Sequence, residues 1–163
     1  MGNSNTVSLP DLAATQALAL RLARALQPGD TVFLTGDLGA GKTTFARFII
    51  KTLCGVADAP SPTYTLVQTY DCDSDQGPGG ELWHADLYRI EHAGELEELG
   101  LEDAFGEVIL LIEWPDRLIG LVPDDRLELH LEMVGDSAGA AMDRPRRAGL
   151  TGFGEWEARL DEI

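Results

Sequence analysis

Residues 31–43 read Thr31-Val32-Phe33-Leu34-Thr35-Gly36-Asp37-Leu38-Gly39-Ala40-Gly41-Lys42-Thr43. Five β-forming residues run straight into a segment of the form G-x-x-x-x-G-K-[ST]. Beyond it Phe45, Phe48, Ile49 and Leu53 recur at helical spacing, and Gly55 marks a stop. Strand, glycine-rich bend and helix, in that order, are what a phosphate-binding loop requires. Small residues let successive backbone N–H groups turn toward one anion, and the helix that begins there adds the positive end of its dipole. The competing reading is a glycine-rich turn that happens to precede a helix carrying Lys-Thr. It would have to match every fixed position, and both flanks, by coincidence. Gly36, Asp37, Leu38, Gly39, Ala40, Gly41, Lys42, Thr43 and Thr44 are therefore expected to hold nucleotide phosphates. Lys42 spans the β- and γ-phosphates as a point charge, and the Thr43 hydroxyl ligates a magnesium ion.

Working outward, Ser8 reads as the N-cap of a helix running to about residue 26, with Pro10 in its first turn and Leu18, Leu22 and Leu26 on one face. Residues 65–70 alternate as a strand, 71–80 form an acidic, glycine-containing loop, and 82–86 return as a second strand. A helix follows over 93–106, interrupted near Gly100. Residues 108–112 are continuously apolar, which predicts a strand covered on both faces. Another strand spans 126–133, with Leu127, Leu129 and Leu131 alternating. Residues 135–147 read as a flexible loop, followed by a short strand over 148–151 and a helix from about 154. The sum is an α/β, P-loop NTPase-type three-layer sandwich with a mixed β-sheet, in one domain over 1–163.

A second acid should hold the metal from a neighbouring strand end. Glu113 follows the apolar strand at the edge where open α/β sheets bind ligands, and a solvent-facing strand-end glutamate is the alternative. Trp114 lines the nucleotide pocket or packs as an ordinary edge tryptophan. Thr63, in Ser61-Pro62-Thr63-Tyr64, senses the terminal phosphate or belongs to a simple proline turn. Asp86, in His84-Ala85-Asp86-Leu87-Tyr88-Arg89, orients a water on the metal or γ-phosphate, or forms a salt-bridged strand end with Arg89.

Composition bounds what else the chain can be. Of 163 residues, 44% are hydrophobic and 25% charged, which suits a packed core rather than disorder. No apolar run is long enough to span a bilayer, and residues 1–8 carry neither a basic flank nor an apolar core of an export signal. A cytoplasmic location is expected. Cys54 and Cys72 show no patterned spacing and read as two free thiols in a reducing compartment. Twelve Lys and Arg stand against 28 Asp and Glu, a formal charge of −16. Binding of DNA, or of tRNA by the chain alone, is thereby disfavoured, since phosphate neutralisation needs a basic face. The acid excess serves either a partner face or general solubility.

The blocks GDLGAGKTT, SPTY, HADLYR and IEWPDR, in this order, resemble the TsaE (YjeE) family, bacterial P-loop ATPases of tRNA threonylcarbamoyladenosine biosynthesis. The likeness runs from the first helix to at least Met133. It implies ATP or ADP and Mg2+ as ligands, with Lys42 and Thr43 on phosphate and metal and Glu113 as the metal-side acid. It also implies Asp86 as a functional carboxylate and Thr63 as part of a switch-like segment. The partners so implied are the TsaB–TsaD threonylcarbamoyl transferase complex, through which alone tRNA would be met. After Met133 the pattern departs, and no arginine there inherits a role. One alternative is a small-molecule P-loop kinase with Arg144, Arg146 and Arg147 as its lid. Another is a module that holds ATP without turning it over. A guanine-reading Asn-Lys-x-Asp motif is excluded, because asparagine occurs only at positions 3 and 5.

Overall fold

The computed structural model describes residues 2–72, 75, 78–135 and 143–163. Parts of the two expected loops, at 73, 74, 76, 77 and 136–142, lie outside the described residues. The elements are β1 (Asn3–Leu9), α1 (Leu12–Ala25), β2 (Thr31–Thr35), α2 (Lys42–Cys54), β3 (Val67–Asp71), β4 (Glu81–Asp86), α3 (Ala93–Leu99), α4 (Leu101–Ala104), β5 (Ile109–Glu113), β6 (Arg126–Met133), β7 (Arg146–Phe153) and α5 (Trp156–Arg159). Short 3-10 turns occupy Pro115–Leu118 and Leu160–Glu162.

The seven strands form one sheet in the order β1-β7-β6-β2-β5-β4-β3. β2 is parallel to both β5 and β6, and β4 is parallel to β5, whereas β3–β4, β6–β7 and β7–β1 are antiparallel. The sheet is therefore mixed, as the pattern of hairpins and helices predicts. β5 shows why its sequence is unbroken: Ile109 and Leu111 enter the core beneath α1 and α2, while Leu110 and Ile112 enter a second core with Leu96, Leu101 and Ala104 of α3 and α4. Apolar residues on both faces leave no polar phase to the alternation. β6 has one buried face, with Leu127, Leu129 and Leu131 in the first core, and it alternates accordingly.

Three expectations are corrected. Ser8 is not a helix cap: it lies in β1 opposite Arg147, and Asp11 caps α1 by accepting the Ala14 N–H at 2.8 Å. Pro10 thus precedes the helix. β1 itself was hidden because NSNTVSL has no apolar alternation; the strand forms where the open backbone edge of β7 offers it partners. Arg146 and Arg147, assigned to a loop, begin β7, paired to Met133 and Glu132. Cys54 and Cys72 are not free thiols but a disulfide, which joins the end of α2 to the residue after β3. The topology brings those ends together, and a separation of 18 residues gives no hint of it. A smaller shift moves β3 to Val67, because Leu66 turns at φ 66° with its N–H on Pro62 O. No helix among the described residues is long and apolar enough to cross a membrane.

Candidate functional site

The parallel strands end side by side. Asp86 at the end of β4 is paired with Glu113 at the end of β5, which is paired with Leu34 of β2, and the glycine loop departs one residue beyond. A cavity of about 270 Å³ opens at this edge. Lys42, Thr43, Thr63, Asp86, Glu113 and Trp114 all face it. Strand register sets Asp86 beside Glu113, and the loop, the start of α2 and the Ser61–Thr63 turn bring the others to them.

The loop builds one wall. Gly39 and Gly41 take φ of 79° and 106°, open to glycine and strained for other residues. Gly41 precedes α2 without a side-chain cap, so the first helical N–H groups are left to another acceptor. Leu38, Gly39 and Thr44 line the cavity with Gly41. Gly36, Asp37 and Ala40 act behind that surface: the Gly36 and Asp37 carbonyls accept the Lys42 Nζ at 2.6 and 2.9 Å, and the Ala40 carbonyl accepts from Arg146 Nε at 2.7 Å. Lys42 is buried, and its ammonium lies 4.3 Å from the Trp114 ring centre. Burial lowers its pKa below the ordinary lysine value, opposed by the charges of Glu113, Asp86 and Asp37.

Trp114 sits at φ 57°, ψ 54°, a conformation few non-glycine residues adopt, and its ring also meets Tyr88 at 5.0 Å. Such strain belongs where a side chain must be aimed, and here the aim is over Lys42. Glu113, itself buried, accepts the Thr43 hydroxyl at 2.8 Å on Oε1 and 3.1 Å on Oε2. Its Oε2 also lies 2.8 Å from Nε2 of His84, which is fully buried. Asp86 accepts the Thr63 hydroxyl at 3.2 Å and the Tyr88 N–H at 3.0 Å; Arg89 instead lies over the Tyr64 ring. The SPT segment and the HADLYR block are therefore bonded to one another.

Two members of this neighbourhood were given no site role in the sequence. His84 belongs to the HADLYR block, but its bond to Glu113 depends on β4–β5 register. Arg146, considered only as a kinase lid, is a strand residue buried in the cavity wall. Arg147 is paired with Glu132 at 2.9 Å, and Arg144 donates to Gly135 O. The three do not form one lid.

The donor set suits Mg2+. A hydroxyl and a carboxylate are hard oxygen ligands, and magnesium on a nucleotide takes few protein ligands beside phosphate and water. Among the described residues there is no cluster of three or more His, Cys, Asp or Glu such as an all-protein metal cage would need.

Comparison with known proteins gives a consistent result. The family model described as threonylcarbamoyl adenosine biosynthesis protein TsaE matches residues 9–141. The chain is 40% identical over 137 residues to the tRNA threonylcarbamoyladenosine biosynthesis protein TsaE of Rickettsia bellii, a match covering 83% of this chain and 91% of that one. To the protein of the same name from Streptomyces coelicolor it is 35% identical over 146 residues, covering 88% and 94%. The crystal structure of Bacillus subtilis YdiB superposes with a TM-score of 0.74 at 27% identity, over 99% of this chain and 94% of that one.

Proposed function

The chain belongs to the TsaE family, and from that membership we propose that it is a Mg2+-dependent ATPase required for the threonylcarbamoyladenosine modification of tRNA. The observation that supports this best is a single arrangement. Lys42 and Thr43 follow a glycine bend at an uncapped helix start, and the Thr43 hydroxyl rests on the buried carboxylate of Glu113. A hydroxyl and a carboxylate held together offer a divalent ion two oxygens, and Lys42 offers a triphosphate its charge.

The local charge balance argues for the metal. Lys42 and Arg146 line the cavity together with Asp86 and Glu113, two cations against two carboxylates. A free triphosphate would meet two carboxylates with little net attraction, whereas bound magnesium would neutralise both them and the phosphates. Thr43 and Glu113 would hold it. Asp86, fixed by Thr63 and the Tyr88 N–H, is the carboxylate that can accept a proton from, or orient, an attacking water. Thr63 couples that carboxylate to the Ser61–Thr63 turn, so a shift in the turn would move Asp86. Trp114 lies over the lysine and forms part of the cavity wall.

The partners in this reading are the TsaB–TsaD complex, tRNA being reached through it, and the compartment is the cytoplasm, where the Cys54–Cys72 disulfide would be an exception to the usual reduced state of thiols. Hydrolysis is expected to be slow for the chain alone and faster with TsaB–TsaD. Calorimetry with millimolar Mg-ATP and Mg-ADP, followed by turnover with and without the partners, tests this. Lys42→Ala should abolish the heat and the turnover. Absence of binding by the unaltered chain, or full activity of Lys42→Ala in reconstituted tRNA modification, would refute it.

A further inference from the structure

We propose that Arg146 is a positioning residue for the nucleotide, holding the peptide between Ala40 and Gly41 in its working orientation from the first residue of β7. The inference rests on the nucleotide reading above and adds to it a residue from outside the motif.

The geometry is specific. Arg146 Nε donates to Ala40 O at 2.7 Å and Nη1 donates to Arg144 O at 3.1 Å, so one guanidinium is tied both to the loop and to the strand entry. The residue is only 6% exposed and is a wall of the cavity. A peptide unit is planar and trans, so its C=O and N–H point in opposite directions. Fixing the Ala40 carbonyl on Arg146 fixes the Gly41 N–H of the same unit, at the turn where the loop becomes α2. A Cβ on Gly41 would stand 3.2 Å from Arg146 Nε, so the guanidinium packs directly on the glycine that begins the helix. Leu9 of β1 and Met133 of β6 flank Arg146 in the ladder, which prevents the strand from yielding to the loop. Burying a guanidinium is costly: burial lowers its pKa, and the charge of Arg144 adds to the effect. A lysine cannot replace it here, because the two donors leave a rigid plane in different directions.

The test compares Arg146→Met and Arg146→Lys with the unaltered chain, using Mg-ADP calorimetry and amide exchange at Gly41. Both variants should bind Mg-ADP weaker by about fivefold or more, the scale of a lost charge-assisted hydrogen bond. In the Mg-ADP complex, exchange at Gly41 should speed up while exchange along β6 stays unchanged. Affinity within about fivefold of the unaltered chain in either folded variant, or unaltered Gly41 exchange, overturns the proposal. Recovery in Arg146→Lys alone would mean that charge, not orientation, is what matters, and would overturn it too. Should Arg146→Met fail to fold, Arg146→Lys, which keeps stem and charge, decides by the same thresholds. Failure of the unaltered chain to bind Mg-ADP would instead sink the nucleotide reading, so the two failures are distinguishable.

Discussion

The side chain that most constrains Glu113, the proposed metal-side acid, is one that need not touch ligand at all. His84 is fully buried on β4, and its Nε2 lies 2.8 Å from Glu113 Oε2, while Thr43 occupies the same carboxylate from the other side. A carboxylate at a strand end has free rotation unless something holds it, and partners behind a metal ligand typically tune affinity by 10–100-fold. His84→Ala is therefore expected to raise the Mg2+ concentration needed for half-maximal hydrolysis by about tenfold or more, with metal-free ADP binding little changed. A magnesium titration at fixed ATP measures it; an unchanged midpoint would show that Glu113 needs no such support. Sequence spacing points to Lys42, Thr43 and Glu113 as candidates because a phosphate loop and an apolar strand end carry their chemistry locally, and the structure brings the three to one cavity. His84 was opaque for the opposite reason. Its partner is 29 residues away, and only the pairing of His84 with Leu111 across β4 and β5 brings the two together.

Elements became legible in proportion to how completely they are covered. β2 and β5, buried between helices, and α2, with its core face Phe45, Ile49 and Leu53, were readable almost to the residue. β1 and the start of β7 were not. β1 lies at the rim of the sheet, where backbone pairing rather than side-chain burial makes the strand, and β7 opens on Arg146-Arg147, whose charge masks a start that is paired on both sides. The loop depends on one of its neighbouring strands in a way that can be measured. Gly36 takes φ 136°, and a Cβ there would collide with the Leu131 carbonyl of β6. Backbone cannot move aside as a side-chain tip can, so Gly36→Ala should destabilise the protein by about 2–4 kcal/mol or displace the loop from β6. Urea unfolding with and without Mg-ADP would separate these effects. Wild-type stability together with wild-type binding would disprove the contact. At the start of α3, the Glu95 carboxylate accepts the N–H groups of Glu91 and His92 at 2.8 and 2.9 Å, which lowers its pKa. A lowered carboxylate pKa stabilises the fold above the unfolded value, and the benefit is lost as pH falls through the folded value. Protection of these two amides, corrected for intrinsic exchange, should fall between about pH 5 and pH 3, and in Glu95→Gln it should not depend on pH there. Parallel profiles in both proteins would contradict that cap.

At the scale of the molecule, two electrostatic fields of opposite sense act on an incoming nucleotide. The formal charge of −16 repels any phosphate at long range, whereas Lys42 and Arg146 attract it within a few ångströms. Screening separates the two. The Debye length is about 30 Å at 0.01 M salt and about 8 Å at 0.15 M, so salt removes the distant repulsion while the contacts inside the cavity remain largely unscreened. A site on a basic protein loses association rate as salt is added, because steering is what salt erases. Here the sign reverses: the association rate of a fluorescent Mg-ADP analogue, followed by stopped flow, should rise by about two- to fivefold across that range. Its dissociation rate should change less, since dissociation is governed by the short bonds to the loop. An association rate that falls with salt would mean that the cavity projects a positive field beyond the acidic surface. The excess of acid would then have to be concentrated on a face remote from the nucleotide.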